Sequence, residues 1–563
     1  MRPPLFVWLR RLASLFLVGG LVYQIGYLWM TRAQAIQFFM GFDPCIFGRD
    51  QYAETFLTVE IKEAGNLWAW IGIGISLWML WRITKTSALD FEFNIPRLST
   101  RRLLYHVPIV AICLLLVWIP LMELAPAYDE VFSAVHVAHH PPFQAWVYYM
   151  YPNNHVLFNI LNSSLFSWAP DQVWTGKFLS VIAYLLLGYT IFRIWLKLTK
   201  GQYILSILAT LPSLLQLPVW GFASQGRGYE WYLLMMIWML WIYVQYVVEV
   251  KKRPSQAFTW IIFAGYTLLP TFLFMHMAIC VVELGRQVRR RRIQWGFWQS
   301  QCWAGGLILL FYIPLFQFSG LQALTDNPYV SSEATLSIDF IFESFKTLRW
   351  FITYTFSYLG GDNIYFPSLL LFFMPLLLLF QKRNKAVRVW TIVWLMGLGM
   401  ILLFVWGRQV YPFHRNLIGH YALTLFLGIY LLYEGLGHRW KYGGQKVLFG
   451  IICLCLSFYF FQKNPSQFSF QLYFYDINST YDTLSAGLEK LPEGKGGCSD
   501  NAFYFQYLLS SRGRDIQFCP QEEWTYYITT EKEGLPQGVE HFSLIHTVDD
   551  YRFYVQPLTK EVP

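Results

Sequence analysis

The sequence predicts an all-α polytopic membrane protein of about 11–13 transmembrane helices that carries a small α/β extracytoplasmic C-terminal domain. Of its 563 residues, 55% are hydrophobic, 19% are aromatic and 14% are charged, whereas soluble domains usually contain about 25% charged residues. Apolar runs such as residues 103–122 and 390–406 are long enough to cross about 30 Å of hydrocarbon as helices. After residue 462 the chain becomes polar and strand-like pieces follow.

The apolar runs predict spanning helices at residues 12–30, 66–84, 104–124, 176–197, 203–219, 229–249, 302–320, 365–381, 388–406, 417–435 and 446–462. Segment 257–289 differs from these because Pro270 divides it into two short arms. The two arms predict a hairpin that returns the arginine-rich stretch 286–292 to the side from which the segment started.

Lys and Arg concentrate in the flanks that this topology places on one side of the membrane. The positive-inside rule then puts the N-terminus in the cytoplasm and Asp129 outside. We expect residues 1–462 to form a transmembrane domain and residues 463–563 an extracytoplasmic domain, in a bacterial inner membrane. Cys498 and Cys519 flank a helix-to-strand unit of the outer domain and form a plausible disulfide pair in an oxidising compartment.

The outer connection 125–175 concentrates polar residues, and a loop this long in a compact protein is commonly functional. It begins with "YDE", in which Asp129 and Glu130 directly follow a helix end. A carboxylate held at the membrane face can act as a general base towards a hydroxyl or amide. The alternative is that this acidic pair only caps a helix in solvent.

Histidines form a second feature of the same connection. His136, His139 and His140 are spaced so that one helical face presents all three, which is compatible with a divalent metal site. An interfacial or hydrogen-bonded cluster explains the same spacing without a metal. Asn154 and His155, in "PNNHVLFN", precede an apolar run that dips back towards the membrane.

Two further outer segments carry cations. "QGRGYEWYLL" places Arg227 and Tyr229 at the outer mouth of a helix, and "YPFHRN" places His414 and Arg415 at another. An arginine at this depth is costly unless it is paired or faces a cavity, and its planar cation suits a phosphate. For Arg415 the alternative is that its side chain extends to lipid headgroups.

The order and sidedness of these motifs resemble those of the C-superfamily membrane glycosyltransferases, in particular the branch of protein O-mannosyltransferases and the lipid A aminoarabinose transferase. The resemblance covers roughly residues 100–460. It implies Asp129 as the base that activates the acceptor, Glu130 as its catalytic support, and Arg227 or Arg415 on the phosphate of a polyprenyl-phosphate sugar. His155 stands where family members often show a histidine.

The resemblance has two departures, and we extend it to several neighbouring residues. In the family the acidic loop follows the first helix, whereas here two helices and an outer segment, 31–65, precede it. Asn154, Tyr229 and His414 adjoin the motif residues, and we assign them to substrate binding as well. The three clustered histidines match no part of the family pattern, so the metal question stays open.

The expected function is transfer of a sugar from a polyprenyl-phosphate donor to a lipid, glycan or protein acceptor outside the membrane. No cofactor is required by this reaction, and the chain lacks nucleotide-binding fingerprints, so we expect membrane lipids and no nucleic acid as partners. Three alternatives remain: a transporter or flippase of lipid-linked saccharides, a non-catalytic assembly subunit, and a metalloenzyme that uses the histidine cluster.

Overall fold

The computed structural model confirms the mostly helical fold class and the small sheet near the C-terminal end. It describes residues 4–40, 56–85, 106–124, 126–138, 140–149, 155–166, 168, 172–251, 254–325, 376–380, 384–408, 414–437, 443–471, 491, 496–498, 525–530, 535, 540–548 and 551–556. The predicted helix at 365–381 lies mostly outside these residues, as do Asn154, His139 and Cys519.

The helices follow the apolar runs of the sequence. They are α1 (Pro4–Trp29), α2 (Arg32–Met40), α3 (Val59–Lys85), α4 (Val107–Glu123), α5 (Tyr128–Ser133), α6 (Pro142–Val147), α7 (Val156–Phe166), α8 (Gln172–Leu198), α9 (Tyr203–Leu215), α10 (Leu217–Phe222), α11 (Tyr229–Val248), α12 (Gln256–Leu268), α13 (Phe272–Arg289), α14 (Trp295–Ser319), α15 (Gln322–Thr325), α16 (Lys385–Arg408), α17 (Ile418–Gly437) and α18 (Gly443–Gln471).

Six helices in the described part of the chain are long and apolar enough to cross a membrane, which makes the chain an integral membrane protein. They are α8, α11, α14, α16, α17 and α18, and shorter apolar helices accompany them. One predicted span is wrong as a single helix: the chain leaves helical geometry at Gln216, so the run 203–219 forms α9 and α10.

The hairpin predicted around Pro270 is present as α12 and α13. The Tyr266 hydroxyl lies 2.9 Å from Nδ1 of His276, ten residues later, which requires a sharp turn between the two helices. At its other end α13 returns to α11, where the Tyr246 hydroxyl donates to Glu283 at 3.1 Å. The tip of the hairpin, at Leu268, reaches His155.

The N-terminal helices form a pair that packs on the remaining bundle. Helix α3 packs against both α1 and α14. Gln317 of α14 donates to Gln24 of α1 at 2.7 Å, and the Tyr27 hydroxyl donates to the Gln317 carbonyl group at 3.2 Å. These buried hydrogen bonds fix the N-terminal pair against α14.

A four-stranded sheet lies near the C-terminal end. Its strands are β1 (Gly496–Cys498), β2 (Tyr526–Thr530), β3 (Ser543–Val548) and β4 (Tyr551–Val555), in the order β1-β2-β4-β3. Strand β1 runs parallel to β2, and the other pairs are antiparallel, with Ile528 opposite Phe553 in the buried centre. The helical part of the predicted α/β unit falls outside the described residues.

Candidate active site

The acidic pair lies in the first turn of a short helix. Helix α5 begins directly after Ala127, whose side chain has no oxygen to cap the helix. Glu130 caps the helix instead, because its Oε2 accepts a hydrogen bond from the Ala127 amide at 3.1 Å. Asp129 is therefore left to face the neighbouring segments, and its side chain remains 24% exposed.

Asp129 joins the two predicted arginines. Its Oδ2 lies 3.1 Å from Nη1 of Arg227, in the turn before α11. The same oxygen accepts a hydrogen bond from Nη1 of Arg415, which lies 286 residues further along the chain in the turn before α17. The Arg227 side chain is 1% exposed and that of Arg415 is 27% exposed. Three segments that are distant in sequence thus meet at one carboxylate.

Glu130 fixes the turn that carries Arg227. Its Oε1 accepts a hydrogen bond from the Gly226 amide at 2.6 Å. A Cβ atom on Gly226 would stand 2.8 Å from that same oxygen, so only glycine allows this approach. One residue further, the Arg227 carbonyl group accepts a hydrogen bond from the Ser180 hydroxyl at 2.8 Å. These contacts explain the glycine in "QGRG" and hold the guanidinium towards Asp129.

Glu130 is unusual electrostatically because its side chain is fully buried. Burial raises the pKa of Glu130, while the charge of Lys177, the two backbone hydrogen bonds and Arg227 act in the opposite direction. Lys177 is itself buried and donates to the Leu124 carbonyl group at 3.3 Å. The ion cluster of Asp129, Glu130, Lys177, Arg227 and Arg415 therefore holds three cationic side chains and two carboxylates, which leaves an excess of positive charge.

Lys177 is a site residue that the sequence pattern did not single out. It is a lysine at the predicted outer end of the span 176–197. That position was the available signal, because a cation at the outer end of an apolar run needs a partner.

His155 and Tyr229 pack against each other next to the ion cluster. His155 is buried and its ring meets that of Tyr229 edge to face at a centroid distance of 4.5 Å. The guanidinium of Arg227 lies 5.5 Å from the centre of the Tyr229 ring. Burial lowers the pKa of His155 well below its usual value, and the charges of Arg227 and Arg415 lower it further. The imidazole is therefore neutral at physiological pH.

The remaining predicted residues have other contacts or are described by their backbone. His140 packs its ring on Tyr148 at 5.3 Å, and its carbonyl group accepts a hydrogen bond from Ser163. The backbone of His136 belongs to a π-helical turn, Ala134–Ala138, and that of His414 begins the turn His414–Leu417. Across the described residues, no group of three His, Cys, Asp or Glu side chains could hold a metal ion.

Comparisons with known proteins give matches among solved structures. No protein-family model and no curated protein matches the chain. Among solved structures, the chain is similar to the arabinosyltransferase EmbB from Mycobacterium smegmatis, with 12% identity and a TM-score of 0.42. The aligned region covers 73% of this chain but only 42% of that one.

Proposed function

We propose that the chain is an integral-membrane glycosyltransferase that moves a sugar from a polyprenyl-phosphate donor to an acceptor on the extracytoplasmic side. The observation that carries the proposal is the contact of one partly exposed carboxylate, Asp129, with two arginines from distant segments. A bacterial inner membrane is the proposed location, with residues 1–462 as the transmembrane unit and residues 463–563 as the outer domain.

In the proposed reaction, the acceptor hydroxyl attacks the anomeric carbon of the sugar as its proton passes to Asp129. A new carbon–oxygen bond forms, the bond from the anomeric carbon to the phosphate oxygen breaks, and polyprenyl phosphate leaves as an anion. Each guanidinium has five N–H donors, so Arg227 and Arg415 have the capacity to bind Asp129 and a phosphate together. Stabilising the departing phosphate is the main contribution of such donors.

The excess positive charge of the cluster supports this assignment. Three cations face two carboxylates, and burial favours the neutral form of Glu130, which increases the excess. His155, buried next to Tyr229 and neutral, adds no charge to the cluster. Glu130 has a supporting role here, because both of its oxygens bind backbone amides.

The test is sugar transfer by purified wild-type and Asp129→Asn protein, with a panel of polyprenyl-phosphate sugars and a membrane extract as acceptor. General-base catalysis contributes about 10²–10⁴-fold, so we expect a loss of that size in the rate of polyprenyl phosphate release. Glu249→Gln is the matched control, since that carboxylate pairs with Lys251 on the surface. A folded Asp129→Asn protein with full activity would refute Asp129 as the base.

A transporter or flippase of lipid-linked saccharides is the second candidate. It is favoured by two interrupted helices, at Gln216 and at the turn after Leu268, because discontinuous helices are typical of transporter binding sites. Reconstitution into vesicles, with the same release measurement, separates the candidates: a flippase moves the intact donor across the vesicle membrane and releases no polyprenyl phosphate. Movement without release would replace the transferase proposal.

A further inference from the structure

Four consecutive arginines lie where α13 ends. Arg289 is the last residue of the helix, and Arg290, Arg291 and Arg292 belong to the turn that leads to α14. The side chains of all four are exposed. Within the described part of the chain, none of them forms an ion pair with a carboxylate. We call residues 289–292 the arginine turn, which carries four positive charges without an opposing charge in that part of the chain.

Backbone hydrogen bonds close the arginine turn. The Arg292 amide donates to the Gln287 carbonyl group at 3.1 Å, and Arg291 has a φ of 49°, in the left-handed region. This closure is typical of helix C-termini, although glycine usually occupies the left-handed position. The Gln287 side chain adds support, since its Oε1 accepts hydrogen bonds from the Gln294 amide at 3.1 Å and from Nε1 of Trp298 at 3.0 Å. The arginines are thus carried by a built turn.

The dipole of α13 accounts for only part of this charge. The carbonyl end of a helix carries partial negative charge, and its effect falls off within the last turn. Arg286 and Arg289 already lie in that last turn, where Arg286 is bonded to Glu283 at 2.6 Å. The arginines from 290 to 292 lie beyond the helix, and like charges at neighbouring positions repel one another. An external anion would offset this repulsion.

The arginine turn lies at the end of a membrane-spanning helix. Helix α14 begins at Trp295, three residues after Arg292, and is one of the six helices long and apolar enough to cross a membrane. Apolar side chains flank the arginines, with Val288, Ile293 and Trp295 exposed to 69%, 59% and 68%. Tryptophan at the end of a span is typical of the interface between acyl chains and headgroups. The arginines therefore lie next to the headgroup layer.

The chemistry of this surface fits the headgroups of anionic lipids. Guanidinium groups bind phosphate oxygens by paired hydrogen bonds, and basic clusters beside a span attract anionic lipids. A soluble polyanion would leave the flanking apolar side chains in water, whereas the boundary of headgroups and acyl chains covers them. We propose that the arginine turn binds the phosphate groups of anionic phospholipids in the adjacent leaflet. In the predicted topology this leaflet is the cytoplasmic one.

The lipid site goes beyond the proposed transfer reaction. The arginine turn and the tip of the hairpin lie at opposite ends of α13, and the tip, at Leu268, is the part that reaches His155. The 18 residues of α13 rise by about 27 Å along its axis. A lipid bound at the arginine turn therefore does not contact the proposed catalytic residues. It would hold the base of the hairpin at the membrane surface.

The test is thermal unfolding of the purified full chain in a neutral detergent with phosphatidylglycerol added. We expect the unfolding midpoint to rise with the concentration of this anionic lipid and to saturate, because a ligand that binds only the folded state stabilises it. Phosphatidylcholine, which has no net charge, should give a smaller rise. Inorganic phosphate and a short RNA, added at equal ionic strength, carry phosphate without acyl chains and should leave the midpoint unchanged.

Two double variants test the position of the site. Arg290→Gln/Arg292→Gln removes two charges from the arginine turn. Each basic residue beside headgroups is worth about fivefold in affinity, so this variant should need about 30-fold more phosphatidylglycerol for the same rise. The matched control is Lys385→Gln/Arg388→Gln, which removes two exposed charges from the start of α16 and should keep the response. Arg291→Gly removes one charge where glycine fits without strain, so it should keep the midpoint without lipid and still weaken the response.

Each outcome decides the proposal. Equal rises with the two lipids, a rise with phosphate or RNA alone, or equal losses in the two double variants overturns it. The response would then report acyl chains, any phosphate anion or the net charge of the protein. If Arg290→Gln/Arg292→Gln does not fold, Arg291→Gly takes its place in the comparison. Asp129→Asn should lose sugar transfer but keep the lipid response, so failure of the lipid site and failure of the proposed function are distinguishable.

Discussion

The ion cluster at Asp129 contrasts with a second cluster at the opposite end of the bundle. There, Glu283 of α13 is fully buried and binds Arg286, three residues later, at 2.6 Å. Its oxygens also accept hydrogen bonds from Tyr243, Tyr246 and Gln287, at 3.3, 3.1 and 2.6 Å. One carboxylate thus faces one cation, and neutral donors fill the remaining positions.

Both clusters pair a carboxylate with arginine, but they differ in how they are assembled and in their charge balance. The charged part of the Glu283 cluster lies within α13, and its one negative and one positive charge balance. Such an arrangement suits a structural contact at the base of the α12–α13 hairpin. The Asp129 cluster is assembled from distant segments, keeps its carboxylate 24% exposed and has more cations than anions. Accessibility and unbalanced charge, rather than the presence of an ion pair, therefore distinguish a candidate active site from a structural one.

Replacing one arginine in each cluster by lysine gives the largest contrast. Lysine keeps the charge but loses the planar fork, so Arg227→Lys should bind both Asp129 and a phosphate less well. We expect sugar transfer per folded molecule to fall by about 10²-fold, with a raised KM for the donor. Arg286→Lys is the paired control and should lower the midpoint while leaving transfer per folded molecule unchanged. Equal losses of transfer in both variants would contradict the distinction.

Removing the charge of Glu283 tests the structural side of the comparison. In Glu283→Gln, Arg286 loses its carboxylate partner in a mostly buried position, since its side chain is only 13% exposed. We expect the free energy of unfolding to fall by about 2 kcal/mol, measured by chemical denaturation. Transfer activity of the folded fraction should remain at the wild-type level. A selective loss of activity without loss of stability would make this cluster part of the functional machinery.

The placement of the candidate site could be predicted from the sequence to a useful degree. Hydrophobic runs and flanking charges are local in sequence, so they predict which segments face one side of the membrane. The segments that carry Asp129, Arg227 and Arg415 were predicted to face the same side. The contact of Asp129 with an arginine 286 residues away is non-local, and it depends on how the helices that carry the segments pack.

Other features could not be predicted from the sequence, again for physical reasons. The break at Gln216 occurs inside an apolar run, where Pro212 and Pro218 were compatible with a kinked but continuous helix. The role of Gly226 depends on an approach of 2.8 Å to a side chain nearly a hundred residues earlier, which leaves no periodic signal. Arg286 was assigned to a cytoplasmic flank with its exposed neighbours, because only packing distinguishes it from them.

The smallest effect that we expect is the pH dependence of stability due to Glu130, and it tests whether this side chain is neutral in the folded state. Burial raises its pKa above the ordinary value of 4.5, so the folded state favours the protonated acid more than the unfolded state does. The stabilisation from this group is complete below pH 4.5 and is lost as the pH rises through the higher pKa of the folded state. Glu130→Gln keeps a neutral side chain at every pH and so removes this loss.

The measurement is the difference in unfolding midpoint between wild type and Glu130→Gln from about pH 4 to about pH 8. We expect the midpoint of the wild type to fall relative to the variant as the pH rises, by a few degrees at most. A difference that stays constant with pH would mean that Lys177 and the two amide hydrogen bonds keep Glu130 ionised throughout. The excess positive charge beside Asp129 would then be a single charge, and the donor phosphate would rely on Arg227 and Arg415 alone.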